Sequence, residues 1–321
     1  MKIVDIENLH VNFRHHDGVV QAVRGVSLEL DEGKNLGIVG ESGSGKSVTF
    51  MALMRLLQAP MASIEADTLR LDGNDLLEVT NRSLSKIRGS SVAMVFQDPQ
   101  TSFDPLFTIG HQIVETIQTH RSIGKKAAFE RAHDLLVRVE IENPDKILKF
   151  YPHQLSGGML QRAMIAMALS CEPKILIADE PTTALDVTVQ AQVLQLITDI
   201  QAETGMSLII ITHDLGVIAE TVDRVVVMYG GRVMEAGNVV EIFENPLHPY
   251  TKALIESIPG RVAGKQRLKE IAGSSPNALS PPTGCPFHPR CKQADQKCVT
   301  EMPIMVEYEG KRAAACWQVI R

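Results

Sequence analysis

Aromatic residues are scarce, 4% of 321 residues with a single tryptophan, and the charge balance is acidic, at a net −6. A nucleic-acid surface needs a basic face and stacking rings, so that class of partner is excluded as the main one. No apolar run approaches the roughly 20 residues needed to span a bilayer. Asp5 and Glu7 interrupt the stretch where a signal peptide would need an unbroken apolar core, so a cytosolic chain is expected. Internal repeats and low-complexity blocks are also lacking. Hydrophobic residues at 44% and charged residues at 22% fit a chain with a true core and argue against disorder. The length leaves room for two or three units at roughly 100 to 200 residues each.

Cysteines number only five, and four of them, Cys285, Cys291, Cys298 and Cys316, crowd the last part of the chain. Cytosolic thiols are kept reduced, so a cluster of this kind points to metal binding rather than disulfides. The spacing C-x5-C-x6-C, followed by a longer gap, is neither the compact ferredoxin run nor the paired C-x2-C of zinc ribbons. Spacing alone therefore gives a four-thiolate metal site. Cys171 stands apart and reads as a small core residue.

Four short apolar runs read as buried strands: NLGIVG (35–40), SVAMVFQ (91–97), KILIADE (174–180) and SLIIITH (207–213). Helical patterns begin at Lys46 and at Val187, the second ending near Gly205 as a C-cap. Alternating strands and helices imply a mostly parallel sheet covered on both faces. Ile3 to Leu30 instead alternates like antiparallel strands around an Asp17-Gly18 turn. Residues from about 98 to 165 read as a helical insertion. After Pro259 a Gly-, Ser- and Pro-rich linker leads to the cysteine-bearing tail, giving expected domains of 1–258 and 259–321.

GESGSGKS, Gly40 to Ser47, fits G-x-x-x-x-G-K-[ST] and lies between a predicted strand and a predicted helix, as a phosphate-binding loop requires. The expected nucleotide contacts are Gly40, Ser42, Gly43, Ser44, Gly45, Lys46 and Ser47. Backbone N–H groups and the helix N-terminus attract phosphate, Lys46 reaches the β- and γ-phosphates, and the Ser47 hydroxyl ligates magnesium. This loop alone does not separate ATPases from GTPases or kinases.

LSGGMLQR (155–162), standing upstream of ILIADEP, resembles the signature sequence and Walker B strand of the ATP-binding cassette (ABC) family. The resemblance implies a P-loop NTPase cassette of α/β class: a mostly parallel core sheet, an N-terminal antiparallel β subdomain, an inserted helical subdomain and a C-terminal cysteine-rich extension. It assigns Asp179 to magnesium, Glu180 to orienting and polarising the attacking water, and Asp186 to the D-loop in PTTALD (181–186). Gln97 matches the Q-loop that senses metal and water, and His213, 33 residues after Glu180, matches the switch histidine at the γ-phosphate. Phe13 is the candidate for stacking on adenine, with a strand-core role as the alternative. Two subunits would face head to tail, each ATP held by one phosphate loop and by Ser156, Gly157 and Gly158 of the other chain. Dividing the site lets assembly gate phosphoryl transfer, which depends on positioning and charge stabilisation.

FQDPQTSFDPLFTIG (96–110), NPLHPYTKALIESIP (245–259) and GCPFHPRC (284–291) resemble the ATPase subunits of dipeptide and oligopeptide importers. That branch includes nickel and glutathione importers, so the cargo stays open, and a soluble non-transport ABC ATPase is the rival reading. The resemblance implies ATP and Mg2+, a [4Fe-4S] cluster on Cys285, Cys291, Cys298 and Cys316, two transmembrane permease subunits, a second related ATPase as heterodimer partner, an extracytoplasmic peptide-binding protein, and a peripheral position on the cytoplasmic face of the bacterial inner membrane.

Overall fold

A computed structural model describes residues 1–182, 186–258, 271–308 and 312–319. Residues 259–270, where the expected linker begins, and the D-loop residues 183–185 lie outside the described residues, whereas the Gly-, Ser- and Pro-rich stretch 273–284 is described. In chain order the elements are β1 (Lys2–His15), β2 (Gly18–Asp31), β3 (Asn35–Val39), α1 (Lys46–Leu53), β4 (Ala62–Glu65), β5 (Thr68–Leu71), β6 (Asn74–Asp75), α2 (Asn81–Ser90) and β7 (Val92–Val95). The helices α3 (Pro99–Ser102), α4 (Ile109–His120), α5 (Lys125–Arg138), α6 (Pro144–Ile147) and α7 (Gly157–Leu169) follow, then β8 (Ile175–Asp179), α8 (Val187–Thr204) and β9 (Ser207–Thr212). The chain continues with α9 (Leu215–Thr221), β10 (Arg224–Tyr229), β11 (Arg232–Asn238), α10 (Val239–Glu244) and α11 (Pro249–Glu256), and its tail holds α12 (Gln296–Thr300), β12 (Val306–Tyr308) and β13 (Arg312–Ala314). Two compact units result, one from 1–77 with 210–321 and one from 78–209.

In the first unit, β1 and β2 form the hairpin expected around Asp17-Gly18, with His15 opposite Gly18. β1 also pairs antiparallel with β4 and β5, and β5 with β6. Val4, Ile6, Leu9 and Val11 of β1 are fully or almost fully buried, which is the alternation that one covered sheet face demands. The second sheet of this unit is built on β3, whose apolar NLGIV pairs parallel with β10, Leu36 opposite Arg224 through Val39 opposite Val227. Gly230 and Gly231, both at positive φ, turn β10 back into the antiparallel β11. β11 then accepts β13, Glu235 opposite Ala314, and β13 accepts β12. The cysteine-bearing tail is thus stitched into the sheet that carries the phosphate loop.

In the second unit, β7 and β8 pair parallel and in register, Val92 with Ile175 through Val95 with Ala178. Every residue of both strands is buried, as a doubly covered parallel pair requires. The inserted helices bury one stripe each, Ile109, Ile113 and Ile117 on α4 and Ala128, Ala132 and Leu135 on α5. Full burial of an aliphatic side chain of this size is worth about 1.5–3 kcal/mol. Arg121 and Arg131 both donate to Glu172 after α7, and these hydrogen bonds hold its carboxyl near pKa 2. α8 opens on Asp186, whose carboxylate accepts from the Thr188 and Val189 amides, and closes on Gly205 at φ 68, the expected left-handed C-cap.

Candidate nucleotide site and cysteine cluster

The phosphate loop leaves β3 at Gly40 and enters α1 at Lys46. Gly40 has φ 152, and a Cβ there would stand 2.1 Å from the Met228 carbonyl oxygen. Gly45 has φ 96, and its Cβ would stand 2.6 Å from the Ala22 carbonyl oxygen. Both glycines are therefore demanded twice, by backbone angle and by close approach. α1 begins without a side-chain acceptor at its cap and without a carboxylate in its first turn, so its positive end is left to an anion. Lys46 is buried, and its ammonium donates to Gly40 O at 2.7 Å, Glu41 O at 3.0 Å and Ser44 Oγ at 3.4 Å. These contacts fold it back over the loop whose ligand it is expected to meet. Ser42 and Gly43 are exposed at the loop tip, and Ser47 is half-buried in the first turn.

His213 follows β9 and is exposed. Its turn is fixed by its neighbours: the Asp214 amide donates to Thr212 Oγ1 at 2.9 Å, and the Asp214 carboxylate accepts from the Gly216 amide at 2.7 Å. Phe13 lies half-buried on β1, opposite Val20 and Ala62.

The second unit holds the other candidates. Because β7 and β8 run parallel and in register, residues just beyond their ends meet: Gln97 Nε2 donates to Glu180 Oε2 at 2.8 Å. Glu180 adopts φ 44, a left-handed conformation uncommon for a residue with a side chain. Asp179, immediately before it, is 4% exposed. Four apolar residues thus carry a buried acid followed by a strained one to the C-terminal edge of a parallel pair, where ligands collect in such sheets. In the signature, Ser156 caps α7 by accepting from the Met159 amide at 3.4 Å, and Ser156 and Gly157 are exposed. Gly158 is half-buried, and a Cβ on it would press Val189 at 3.0 Å. Arg162 is tied down by Val139 O and Glu140.

In the tail, Cys285, Cys298 and Cys316 are buried and Cys291 is half-buried. Burial first, then the charges of the other three cysteines, push the Cys285 thiol up to about 12. Burial is also the first cause that raises Cys291 and Cys316, with the charges of neighbouring cysteines adding to it. The Cys285 amide donates to Cys298 O at 2.9 Å, and a Cβ on Gly284 would sit 2.3 Å from that oxygen, which locks the two strands of the site together. Three buried thiols and a half-buried one in the same neighbourhood fit a multiply charged cation that would draw off their protons. Among the described residues, however, no three cysteines bring their sulfurs within 4.8 Å of one another. The donor set is all sulfur, which suits a zinc ion and an iron-sulfur cluster alike. Cys171 is a buried core residue, as expected.

The model of the ABC transporter family matches residues 23–183, and the model described as "Oligopeptide/dipeptide transporter, C-terminal region" matches 234–298. A probable peptide ABC transporter ATP-binding protein of Sinorhizobium fredii is 47% identical, covering 98% of this chain and 95% of that protein. The chain belongs to the ABC transporter family. A dipeptide transport ATP-binding protein of Haemophilus influenzae is 45% identical over 98% of this chain and 95% of its own length. An oligopeptide transport ATP-binding protein of the same organism is 46% identical over 98% and 97%. Among solved structures, a dimeric ATP-binding cassette in a post-hydrolysis state with ADP and phosphate aligns at TM-score 0.64 and 28% identity, covering 74% of this chain and 98% of that one. A component of an ABC transporter complex from Clostridium perfringens aligns at 0.61 and 29%, over 76% and 91%. ABC cassettes are ATPases, and this chain is one.

Motif reading missed a set of residues that encloses the phosphate loop from the side of the tail. Tyr250 Oη accepts from the Glu41 amide at 2.9 Å, and Arg290 donates to the Glu41 carboxylate at 2.7 Å and to Tyr229 Oη at 3.0 Å. Below them Glu235, with no exposure, accepts from the Leu247 and His248 amides and from Arg312. No local pattern links Glu41 to a partner 249 residues away.

Proposed function

We infer that this chain is the ATP-hydrolysing subunit of a bacterial importer of dipeptides or oligopeptides. The observation that carries this reading is its likeness to peptide transport ATP-binding proteins over 98% of its length, tail included. Gly40, Ser42, Gly43, Ser44 and Gly45 with the α1 amides hold the phosphates, Lys46 neutralises the β- and γ-phosphates, and Phe13 stacks on adenine. Ser47, Asp179 and Gln97 would hold magnesium, which would supply charge neutralisation to the phosphates. Glu180 polarises the attacking water and Gln97 positions it; the 2.8 Å bond between them supports treating the two as one device. His213 stabilises the charge that develops on the γ-phosphate, and Asp186 serves the D-loop. Ser156, Gly157 and Gly158 act on the nucleotide of a second cassette, a reading supported by the exposure of the first two.

The four tail cysteines hold a [4Fe-4S] cluster, a reading supported by an all-sulfur donor set gathered in one largely buried neighbourhood. The cluster would neutralise buried thiolates and cross-link the segment 285–298 to Cys316. The domain division is 1–258 with an extension from 259. No described helix is long and apolar enough to cross a membrane. In this reading the chain docks peripherally on two permease subunits, as its likeness to peptide transport ATP-binding proteins supports. A related second ATPase completes the motor, and a peptide-binding protein delivers cargo.

Reconstitution into vesicles with its two permeases tests this reading. ATP turnover should rise when peptide and binding protein are added from the opposite side. Turnover indifferent to peptide but stimulated by nickel or glutathione would move the chain to another cargo, and failure to associate with any permease would remove it from transport.

A further inference from the structure

Glu41 is the second residue of the phosphate loop, yet its carboxylate is engaged by the tail and not by the loop. Arg290 Nη1 donates to Glu41 Oε2 at 2.7 Å and Ser275 Oγ donates to the same oxygen at 2.6 Å. The side chain of Arg290 is only 7% exposed, and its other nitrogens are spent on Ile271 O and Ala272 O at 2.8 and 2.9 Å. Its remaining contact is the Tyr229 hydroxyl, and Tyr229 packs on Tyr250 with ring centroids 4.6 Å apart. Tyr250 in turn accepts from the Glu41 amide, so both the backbone and the side chain of one loop residue are held. Phe287 fills the space against both tyrosines, with centroids at 5.3 and 5.2 Å. Phe287 and Arg290 lie between Cys285 and Cys291, on the loop that carries two of the four thiols.

We propose that Arg290 and Tyr250 are positioning residues for nucleotide binding, which hold the phosphate loop in its phosphate-accepting shape by gripping Glu41 from the tail. A charged hydrogen bond with one partner almost out of water is strong and directional. It sits one residue from Gly40 and five from Lys46, where backbone N–H directions decide how well phosphate is received. The tail is thereby part of the nucleotide site without touching nucleotide. The proposal rests on reading Gly40 to Ser47 as the nucleotide loop.

The test measures binding of a non-hydrolysable MgATP analogue by calorimetry on the full chain, purified without oxygen, with iron and sulfide counted in each preparation. Glu41→Gln keeps the side chain's length and an oxygen to accept from Ser275 but removes the charge that Arg290 grips. Glu41→Gln and Arg290→Met should each weaken binding about tenfold, the loss expected for one charge-assisted hydrogen bond. The double variant should be no weaker than either single one, because both remove the same contact. Arg290→Lys should recover part of the affinity, and Tyr250→Phe should weaken binding with iron content unchanged. Wild-type affinity in Glu41→Gln, or single losses that multiply in the double variant, would overturn the proposal. If the wild type itself failed to bind the analogue, the nucleotide reading would fall instead.

Discussion

His248 offers a sharp test of how the region behind the phosphate loop is built. It caps α11 by accepting from the Tyr250 amide on Nδ1 at 3.0 Å, and it is 1% exposed. Burial, with a smaller contribution from the charge of Lys252, pushes its pKa down to about 3. In the unfolded chain the ring titrates near 6.5. The folded value lies below the unfolded one, so between these values the unfolded chain binds the extra proton. The stability is complete above about pH 6.5 and drains away as pH falls from there toward 3. From pH 7 to pH 5 the loss is about 2 kcal/mol, and it hardly depends on the folded value because the folded ring is still neutral at pH 5.

The only tryptophan, Trp317, reports on the same unit: its indole donates to Glu301 O at 3.0 Å and Lys297 stands 3.6 Å over its ring. Urea unfolding followed by tryptophan fluorescence at pH 5 and pH 7 should show the wild type losing about 2 kcal/mol more than a His248→Asn variant, since asparagine keeps the cap but not the proton site. Equal losses in the two proteins would refute the burial argument, whatever the offset between them at pH 7.

Two further substitutions probe the frame around the site. Arg312→Met leaves Glu235 buried and without its cation, which should cost about 3–5 kcal/mol in the same unfolding assay, and adding Glu235→Gln should return part of that loss. Gly40→Ala places a methyl 2.1 Å from the Met228 carbonyl oxygen, so nucleotide binding should be abolished; calorimetry showing normal affinity would contradict the loop geometry.

Much of the candidate nucleotide site was legible as a set of local patterns. NLGIV, ILIAD and SLIIIT are largely apolar runs of strand length, and each ends at or just before a candidate site residue. Gly205 and the Asp17-Gly18 turn were readable for the same reason: positive φ and tight turns select few residue types. The strands β4, β5 and β6 were not read, since they are two to four residues long and mix polar with apolar positions. The tail was read as an appendage behind a linker, whereas β13 pairs with β11 and Arg290 reaches Glu41. Both joins close loops through long sequence separations, and spacing carries no trace of them. For the cysteines, sequence spacing left the metal open, and an all-sulfur donor set leaves zinc and an iron-sulfur cluster both in play.

The central claim is that Glu180 activates water for ATP hydrolysis on a loop that binds nucleotide without it. The most direct measurement compares wild type with Glu180→Gln in the assembled transporter, reading MgATP affinity and kcat side by side. Removing a general base costs roughly 10²–10⁴-fold in rate, so the account predicts unchanged affinity with kcat down by about that factor. Near-normal turnover in Glu180→Gln would contradict it.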